Sequence, residues 1–372
     1  MSDLNRVPLH DLHQSLGGKM VPFAGYEMPV QFEGVMPEHN WTRTHAGLFD
    51  VSHMGQVILR PVSGRVDDAA LALERLVPAA MLGLKEGRQR YAVFTNDAGG
   101  ILDDLMVANR GDHLFVVVNA ARKAHDLGHM QAHIADACEI AHIEDRALLA
   151  LQGPKAEAAL ASLVPGAAEM KFMDSTSLDW DGTELWVSRS GYSGEDGYEV
   201  SVPEARARDL AEALLGMEEV KPIGLGARDS LRLEAGLCLY GSDLDETTTP
   251  VEAALEWSIQ KARRRGGDRA GGFPGAERIL RELEEGASRR RVGLLPEGRA
   301  PMRGGTAIFA GETRTGEVTS GGFGPSLEAP GSMGYVNTKD AETGTTLEGE
   351  VRGKRQPVKV ADMPFRAAGY KR

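Results

Sequence analysis

Cysteine is scarce in this chain, and long apolar runs are missing. Its 372 residues include two cysteines, Cys138 and Cys238, which are too few for a disulfide framework and favour a reducing compartment. No apolar run approaches the roughly 20 residues that a membrane-spanning helix requires. The first residues, MSDLNRVPLH, lack the apolar core of a secretory signal. These absences predict a cytoplasmic protein with no membrane partner.

Positive charge is also in deficit. The chain has 42 lysines and arginines against 54 aspartates and glutamates, a net charge of -12, which argues against nucleic acid as its main partner. No long repeat or low-complexity segment is visible. The length and the 42% hydrophobic content predict a globular protein of two or three domains with ample core.

Two adjacent acids, Asp103 and Asp104, occupy the stretch AGGILDDLMV at residues 98–107. Gly99 and Gly100 predict a tight turn, and the apolar residues around the acids predict a buried strand. Neighbouring strand residues point to opposite faces, so one carboxylate is expected to face inward. An inward carboxylate must be hydrogen-bonded or serve a site. A turn acid that binds its own backbone is the alternative.

Other elements follow from periodicity and from breaker residues. Apolar spacing and capping residues predict helices at residues 66–83, 120–137, 224–236, 247–259 and 275–285. Alternating or β-branched runs predict strands at residues 113–119, 184–189 and 198–202. The last two strands form a hairpin with Glu195 in its turn. From residue 289 onward, short strands separated by Gly and Pro predict a small all-β barrel or sandwich.

Three features have both a plain and a functional interpretation. His125, His129 and His133 recur every four residues, which can hold zinc, but an apolar face opposite them favours a solvated histidine face. GLGARD at residues 224–229 is glycine-rich, but it lacks the third glycine of a dinucleotide-binding fingerprint, so we do not interpret it as one. The basic stretch at residues 261–272 is either a solvated loop or a docking surface for an acidic partner.

The chain resembles the T proteins of the glycine cleavage system, which are tetrahydrofolate-dependent aminomethyltransferases. The likeness runs nearly end to end and rests on long motifs, among them VPFAGYEMPVQF, AGLFDVSHMGQV, FTNDAGGILDDLMV, RSGYSGEDGYEVSVP and GARDSLRLEAGLCLYGSDLDETTTPVEAALEW. It implies an α+β fold: a three-lobed cloverleaf with two intertwined N-terminal lobes, a C-terminal antiparallel β-barrel and folate in the central hole. The implied domains are residues 1–285 and 286–372.

The resemblance also implies a set of site residues. Asp104 corresponds to the family's catalytic acid, beside the reacting nitrogens of the folate. The implied folate contacts are Tyr91, Val117, Asn119, Glu195, Arg228, Trp257 and Tyr370, with Met54 and Arg291 lining the same region. Phe115 stands where some relatives have tyrosine, so a hydroxyl contact is lost there. A carboxylate can accept the paired N–H donors of a pterin, and Arg228 can donate to its carbonyl.

The implied reaction transfers the methylene of aminomethyl-dihydrolipoyl H protein to tetrahydrofolate, with release of ammonia. Tetrahydrofolate is the co-substrate and the lipoylated H protein the partner; no metal or redox cofactor is implied. One alternative is a folate-dependent demethylase that forms methyltetrahydrofolate. Another is a folate-binding accessory protein of iron–sulfur assembly, but that family carries a lysine-glycine-cysteine signature, and here Leu237 precedes Cys238.

Overall fold

The computed structural model describes residues 4–372. Its helices α1 to α8 are His10–Ser15, Val35–Thr44, Val66–Leu73, Lys123–Ile134, Ala156–Leu163, Glu204–Leu215, Leu225–Glu234 and Ala276–Glu285. Strands β1 to β13 are Lys19–Phe23, Tyr26–Gln31, Ala46–Asp50, Gly55–Pro61, Gln89–Thr95, Ile101–Asn109, Leu114–Val118, Cys138–Ile143, Arg146–Gln152, Ser175–Trp180, Thr183–Ser188, Gly197–Pro203 and Val220–Pro222. Strands β14 to β19 are Arg289–Pro296, Ala307–Ala310, Thr313–Gly324, Ala329–Asn337, Thr346–Val351 and Lys354–Ala361.

The first lobe is built on a six-stranded sheet in the order β10-β11-β12-β9-β3-β13. Strands β3 and β13 pair in parallel, and the other neighbours pair antiparallel. Helices α1, α5 and α6 cover one side, where Leu12, Leu160 and Leu210 share a buried cluster with Leu149 and Val200 of the sheet. Burial of these apolar side chains, at about 25 cal/mol per Å², holds the layers together.

The second lobe is inserted between β3 and β9, two strands that pair with each other in the first lobe. Its antiparallel sheet has the order β5-β6-β7-β4-β8. Helices α3 and α4 cover one side through Leu73, Met130 and Ile134, which pack on Phe94 and Val116. The sequence patterns for the strands at 113–119, 184–189 and 198–202 are confirmed, and so is the α+β class of the N-terminal part.

The C-terminal strands close into a six-stranded antiparallel barrel in the order β14-β17-β16-β15-β18-β19. Leu294, Ile308, Val336, Leu347 and Val358 fill its interior and are almost fully buried. This confirms the barrel that the short, turn-separated strands predict. The helix expected at 275–285 is α8.

The side of each sheet without the covering helices lines a small cavity between the two lobes. The second lobe contributes β5, β6 and β7 and the first contributes β9, β11 and β12, through Gln89, Met106, Ala108, Phe115, Val117, Leu148, Trp186, Ser188 and Glu199. Since alternate strand residues share a face, Tyr91, Asp104 and Asn119 lie on the same face of the second sheet as these residues. We call the cavity together with this face the interlobe chamber.

The prediction of a helix at residues 247–259 is wrong. A capping box does form, because the Glu252 N–H donates to Thr249 Oγ1 at 3.1 Å and the Thr249 N–H donates to Glu252 Oε2 at 2.9 Å. Ala254 then adopts a left-handed φ of 58°, which stops the helix from propagating. The next element is the short 3₁₀ turn Glu256–Ser258. The helix expected at 66–83 is shorter and ends at Leu73.

The histidine face of α4 is partly solvated. His125 and His133 are exposed, but His129 is half-buried and packs edge-on against Phe94, with ring centroids 5.3 Å apart. The buried face of α4 is formed by Asp126, Met130 and Ile134, so it is rotated toward His129 relative to the sequence-based expectation. Within residues 4–372, no group of three His, Cys, Asp or Glu side chains is arranged to hold a metal, and no helix there is long and apolar enough to span a membrane.

Candidate functional site

The turn before β6 fixes where the paired acids stand. Gly99 has a φ of 85°, which favours glycine, and a Cβ at Gly100 would lie 1.8 Å from the Glu246 carbonyl oxygen. The Asn96 side chain accepts from the backbone N–H of Ala98 at 3.0 Å and of Gly100 at 2.9 Å. The Gly-Gly turn and the strand after it are therefore as the sequence predicts.

Asp103 and Asp104 lie on opposite faces of β6. Asp103 is fully buried on the side of α4, whereas Asp104 faces the interlobe chamber. Asn119, just after β7, bridges the two: its Nδ2 donates to Asp104 Oδ1 at 2.7 Å and to Asp103 Oδ1 at 3.0 Å. The fully buried Asp103 is thus hydrogen-bonded, as required for a buried carboxylate. Through Asn119 it is also linked to Asp104, which faces the chamber.

The Asp104 carboxyl has a strongly perturbed acidity. Burial raises its pKa to about 7, and the neighbouring charge of Asp103 acts in the same direction. Hydrogen bonds from Asn119 and from the Tyr91 hydroxyl, which lies 3.2 Å from Oδ2, oppose this rise. A carboxyl that titrates near neutral pH can exchange a proton with a bound substrate at little cost.

Aromatic and apolar side chains surround the acid. Trp257 lies beside Tyr91, with ring centroids 5.3 Å apart and 32° between the planes. It is 59% exposed, which places it at the open side of the site. Val117 and Met54 pack together against the buried cluster below. Phe115 stacks edge-on with Trp186 deeper in the chamber, and flat rings can be held between such surfaces.

Glu199 is a polar residue of the cavity wall, and Arg228 lies close enough for its charge to act on Glu199. The Arg228 guanidinium lies 4.6 Å above the Tyr192 ring. Across residues 4–372 no acceptor forms a hydrogen bond or an ion pair with this guanidinium, so its N–H groups are available to a ligand. Glu199 on β12 is half-buried and accepts from Ser190 Oγ at 3.0 Å. Burial raises the pKa of Glu199, and the charge of Arg228 partly offsets this.

Glu195, expected as a folate contact, is engaged elsewhere. Its Oε1 accepts from Arg43 at 2.9 Å and from Arg366 at 3.4 Å, and the residue is 8% exposed. Both guanidinium groups contact the same oxygen, Oε1, and Glu195 is not among the residues that line the cavity. Glu199, four residues on, has the exposure and the position that were expected of Glu195. The alternation in GYEVSV could have predicted this, because Tyr198 and Val200 face the core and Glu199 faces the opposite side of the sheet.

Tyr370 and Arg291, which were also expected to contact or line the folate site, contact other residues of the chain. Tyr370 stacks on Phe172, with ring centroids 4.1 Å apart and 6° between the planes. Arg291 is buried, and it donates to the carbonyl oxygens of Ala253 at 2.9 Å and of Gly236 at 3.0 Å. No hydrogen bond in residues 4–372 joins either of them to Asp104. Of the expected residues, the structure brings together on or beside the chamber face Tyr91, Asp104, Val117, Asn119, Met54 and Trp257, with Arg228 close to Glu199 of the cavity wall.

Comparison with known proteins decides the family. The family model of the GCVT N-terminal domain matches residues 9–263, and that of the glycine cleavage T-protein C-terminal barrel domain matches residues 289–366. The chain belongs to the glycine cleavage T-protein family. Aminomethyltransferase of Homo sapiens, named as mitochondrial, is 46% identical over 377 residues, which are 99% of this chain and 91% of the relative.

Two other relatives agree. The mitochondrial aminomethyltransferase of Dictyostelium discoideum is 42% identical over 391 residues, which are 100% of this chain and 94% of the relative. The crystal structure of glycine cleavage system aminomethyltransferase T from Bartonella henselae matches with a TM-score of 0.92 and 42% identity, covering 100% of both chains. These matches confirm the predicted family, the fold and an enzyme that is an aminomethyltransferase. They give the demethylase alternative no support.

The expectation of a cytoplasmic protein is wrong. The relatives from Homo sapiens and Dictyostelium discoideum are named as mitochondrial. That expectation rested on few cysteines and on the lack of an apolar signal core. A reducing compartment is not restricted to the cytoplasm, and peptides that direct proteins to mitochondria are amphipathic and rich in arginine, so they lack an apolar core as well.

Proposed function

We propose that this member of the T-protein family transfers the methylene group of aminomethyl-dihydrolipoyl H protein to tetrahydrofolate. Ammonia leaves, the dihydrolipoyl arm is freed, and methylenetetrahydrofolate forms. The observation that carries the proposal is Asp104, a carboxyl with a pKa of about 7 that faces a chamber lined by aromatic side chains and by the unengaged Arg228. The bound folate supplies the nucleophilic nitrogen, and the residues of the chain bind, orient and move protons.

The polar residues of the chamber suit a pterin ring. Glu199 can accept the amine and ring N–H of the pterin as a bidentate pair, and Arg228 can donate to the ring carbonyl. In this proposal Glu199 takes the part that the sequence resemblance assigned to Glu195. Arg228 is half-buried and has no acceptor within residues 4–372, so it can donate to a pterin carbonyl without giving up an existing hydrogen bond.

The flat ring system of the folate would lie between the apolar walls. Tyr91 on β5, with Trp257 beside it, and Val117 on β7, with Met54 beside it, flank Asp104 on β6, so a ring packed against them brings the reacting nitrogens near Asp104. Asn119 holds Asp104 by donating at 2.7 Å. Arg291 and Tyr370 are proposed to support the walls: Arg291 through the backbone near Ala253, and Tyr370 through its stack on Phe172.

Asp104 has two tasks in this scheme. As a carboxylate it accepts the proton that the first attacking folate nitrogen loses as the C–S bond breaks and the dihydrolipoyl thiolate leaves. Its charge stabilises the cationic iminium-like species that forms as the C–N bond to the amine breaks, and the second folate nitrogen then adds to this species and loses its proton to the thiolate. The released amine needs a proton to leave as ammonia, and protonated Asp104 can return it. A pKa of about 7 allows both directions of transfer near neutral pH.

We also propose the division into residues 1–285 and 286–372. The closed barrel begins with β14 at Arg289, and α8 connects it to the lobes. The lobes are intertwined, because the second is inserted into the first, so a cut within residues 1–285 would leave β3 without its partner β9. The barrel contacts the lobes through Ser320, whose hydroxyl donates to Asp243 Oδ2 at 2.9 Å and accepts from Arg232, the buried ion-pair partner of Asp243 in the lobes.

For the docking of the H protein, the basic stretch at 261–272 offers less charge than its sequence suggests. Arg263 and Arg269 both bind the buried Glu74, at 3.2 and 2.8 Å, and Arg265 pairs with Glu284 at 2.6 Å. Lys261 is exposed and has no ion-pair partner in residues 4–372. It follows Trp257 by four residues, so it lies near the open side of the chamber.

A product assay tests the proposed function. The protein is mixed with tetrahydrofolate and aminomethylated H protein, and ammonia and the folate product are quantified. We expect ammonia and methylenetetrahydrofolate in equal amounts. Folate binding without ammonia release would reject the transferase, and formation of methyltetrahydrofolate from a methylated donor would establish the demethylase instead.

A further inference from the structure

A second pair of carboxyl groups lies behind the catalytic acid. Asp103 on β6 and Asp126 on α4 are both 0% exposed, and their carboxyl groups face each other at hydrogen-bonding distance. Two carboxylates in contact inside a protein cannot both be ionised. The pair must therefore hold a proton, and the reaction described above gives that proton no role.

The hydrogen bonds show which acid carries it. Asp103 accepts from the backbone N–H of Asn119 at 3.1 Å and from its Nδ2 at 3.0 Å, and such bonds favour an ionised carboxylate. Asp126 Oδ1 lies 3.1 Å from His125 Nδ1, but its buried Oδ2 receives no hydrogen bond from any donor in residues 4–372. An oxygen that carries a proton needs no donor, so the proton belongs on Asp126.

The electrostatics agree with this geometry. Burial, the hydrogen bond to Asp103 and the charge of Asp103 raise the pKa of Asp126 to about 10, Asp104 adds to the rise, and Arg122 opposes it. Arg122 is itself paired with Glu246 at 3.1 Å, and the charge of Glu246 partly offsets the effect of Arg122 on Asp126. Asp126 is then a neutral acid across the pH range in which the enzyme works.

We propose that Asp126 is a positioning residue: its O–H donates to Asp103 and keeps Asp103 an ionised acceptor, which in turn aims the Asn119 amide at Asp104. An amide has a donor end and an acceptor end. With Asp103 ionised, the donor end must face both carboxylates, and Asn119 Nδ2 holds Asp104 Oδ1 at 2.7 Å. With the donor to Asp103 removed, this orientation loses its support.

The inference rests on the proposed function, since Asp104 is the group that Asp126 positions. It predicts that Asp126 acts on kcat and not on the binding of the carrier. The titratable groups that face Asp104 from the elements around it are Asp103, Tyr91, Tyr192 and Cys238. Of these groups only Asp103 is hydrogen-bonded to Asp126, so a shift of the pH profile in an Asp126 variant reports on Asp103, which acts on Asp104 through its charge and through Asn119.

The first test measures the proton directly and does not depend on activity. Infrared difference spectra of the full-length protein are recorded at about pH 8.5, between the pKa values of Asp104 and Asp126. We expect the carbonyl stretch of a neutral carboxylic acid, which disappears in Asp126→Asn and persists in Asp104→Asn. If Asp126→Asn removes no such band, Asp126 is ionised and the proposal fails, whether or not the protein transfers aminomethyl groups.

The second test separates positioning from packing. Asp126→Leu keeps the branched shape of the side chain in a larger volume but donates nothing to Asp103, and we expect kcat for ammonia release to fall about 10- to 100-fold with KM for the H protein unchanged. Asp126→Asn can still donate, so we expect it to restore most of that loss. Equal losses in the two variants would overturn the proposal. If the leucine variant does not fold, the infrared result decides alone.

Discussion

The hydroxyl of Tyr91 donates to Oδ2 of Asp104 over 3.2 Å. Tyr91 stands on β5, so the Asp104 carboxyl on β6 is held from one neighbouring strand by this residue and from the end of the other, β7, by Asn119. Each oxygen has a single donor and retains lone pairs that can accept a proton from a ligand. Two rigid strands thus fix the acid, which is what general acid–base catalysis requires of its geometry.

Asp104→Asn is expected to bind folate and to lose most activity. The amide cannot accept the proton from the folate nitrogen or balance a cation, and such a loss typically costs about 10²- to 10⁴-fold in rate. Stopped assays of ammonia release give kcat, and titration with tetrahydrofolate gives Kd. The control is Asp97→Asn, an exposed acid in the turn before β6, which we expect to be neutral. A rate in Asp104→Asn equal to that of the wild type would remove Asp104 from the mechanism.

The rate is expected to fall as the pH drops below about 7. The carboxylate of Asp104 is the form that accepts a proton, and its pKa in the folded protein is raised from 3.8 to about 7, so protonation inactivates it on the acid side of that value. In Tyr91→Phe a hydrogen bond that lowers this pKa is lost, so the acid limb of kcat/KM should move to higher pH. Profiles of both proteins over the same buffers provide the measurement, and a limb that stays in place would contradict the assigned role of Tyr91.

The sequence predicted most of the strands and the barrel because their signals are local. Alternation, Gly-Gly turns and β-branched runs each act within a few residues, and β7 and the hairpin of β11 and β12 followed them. The expected helix at 247–259 failed although its capping box formed, because the left-handed Ala254 is set by tertiary packing. The local sequence pattern therefore predicted the capping box at Thr249 correctly, but it did not predict that the helix would fail to continue after it.

The site was less predictable, because ion pairs between distant residues decide which acids are free. Glu195 and Glu199 lie on the same hairpin, and only the position of Arg43, more than a hundred residues earlier, shows that Glu195 is engaged. The same holds for the arginines at 263 and 269, whose partner is Glu74. Of the two adjacent acids, the resemblance assigned a role to Asp104 alone, and neighbouring strand residues point to opposite faces, so Asp103 was expected to point away from the site. It does point away, yet Asn119 connects the two.

Lys261→Glu is expected to raise the KM of the H protein while leaving the Kd of tetrahydrofolate unchanged. Lys261 is exposed and follows Trp257 by four residues, and reversing a charge at an interface rim acts mainly on association. The effect should shrink as salt is added, because the Debye length falls from roughly 10 Å at 0.1 M to 3 Å at 1 M. Lys359→Glu, an exposed lysine of the barrel, is the charge-matched control. Equal KM values for the two variants would show that residues 261–272 form a plain loop.

Glu199→Gln and Glu195→Gln are expected to separate folate binding from stability. Glu199 is half-buried in the chamber near Arg228, so the amide, which cannot accept two N–H bonds from the pterin, should weaken the Kd of tetrahydrofolate about 10- to 100-fold. That range corresponds to the roughly 1.5–3 kcal/mol of a hydrogen bond to a charged group. Calorimetric titration of tetrahydrofolate into each variant provides the measurement.

Glu195→Gln should instead act on the fold. Its carboxylate neutralises Arg43, which is 8% exposed, and loss of one partner of a buried ion pair leaves a charge that is only partly compensated. Arg43 keeps its second partner, Glu234, at 3.0 Å, so we expect a modest loss of about 1–3 kcal/mol in the free energy of unfolding and a Kd within about twofold of the wild type. A Glu195 variant that folds normally and fails to bind folate would restore the assignment that the sequence resemblance first suggested, and Glu199 would lose the role proposed for it.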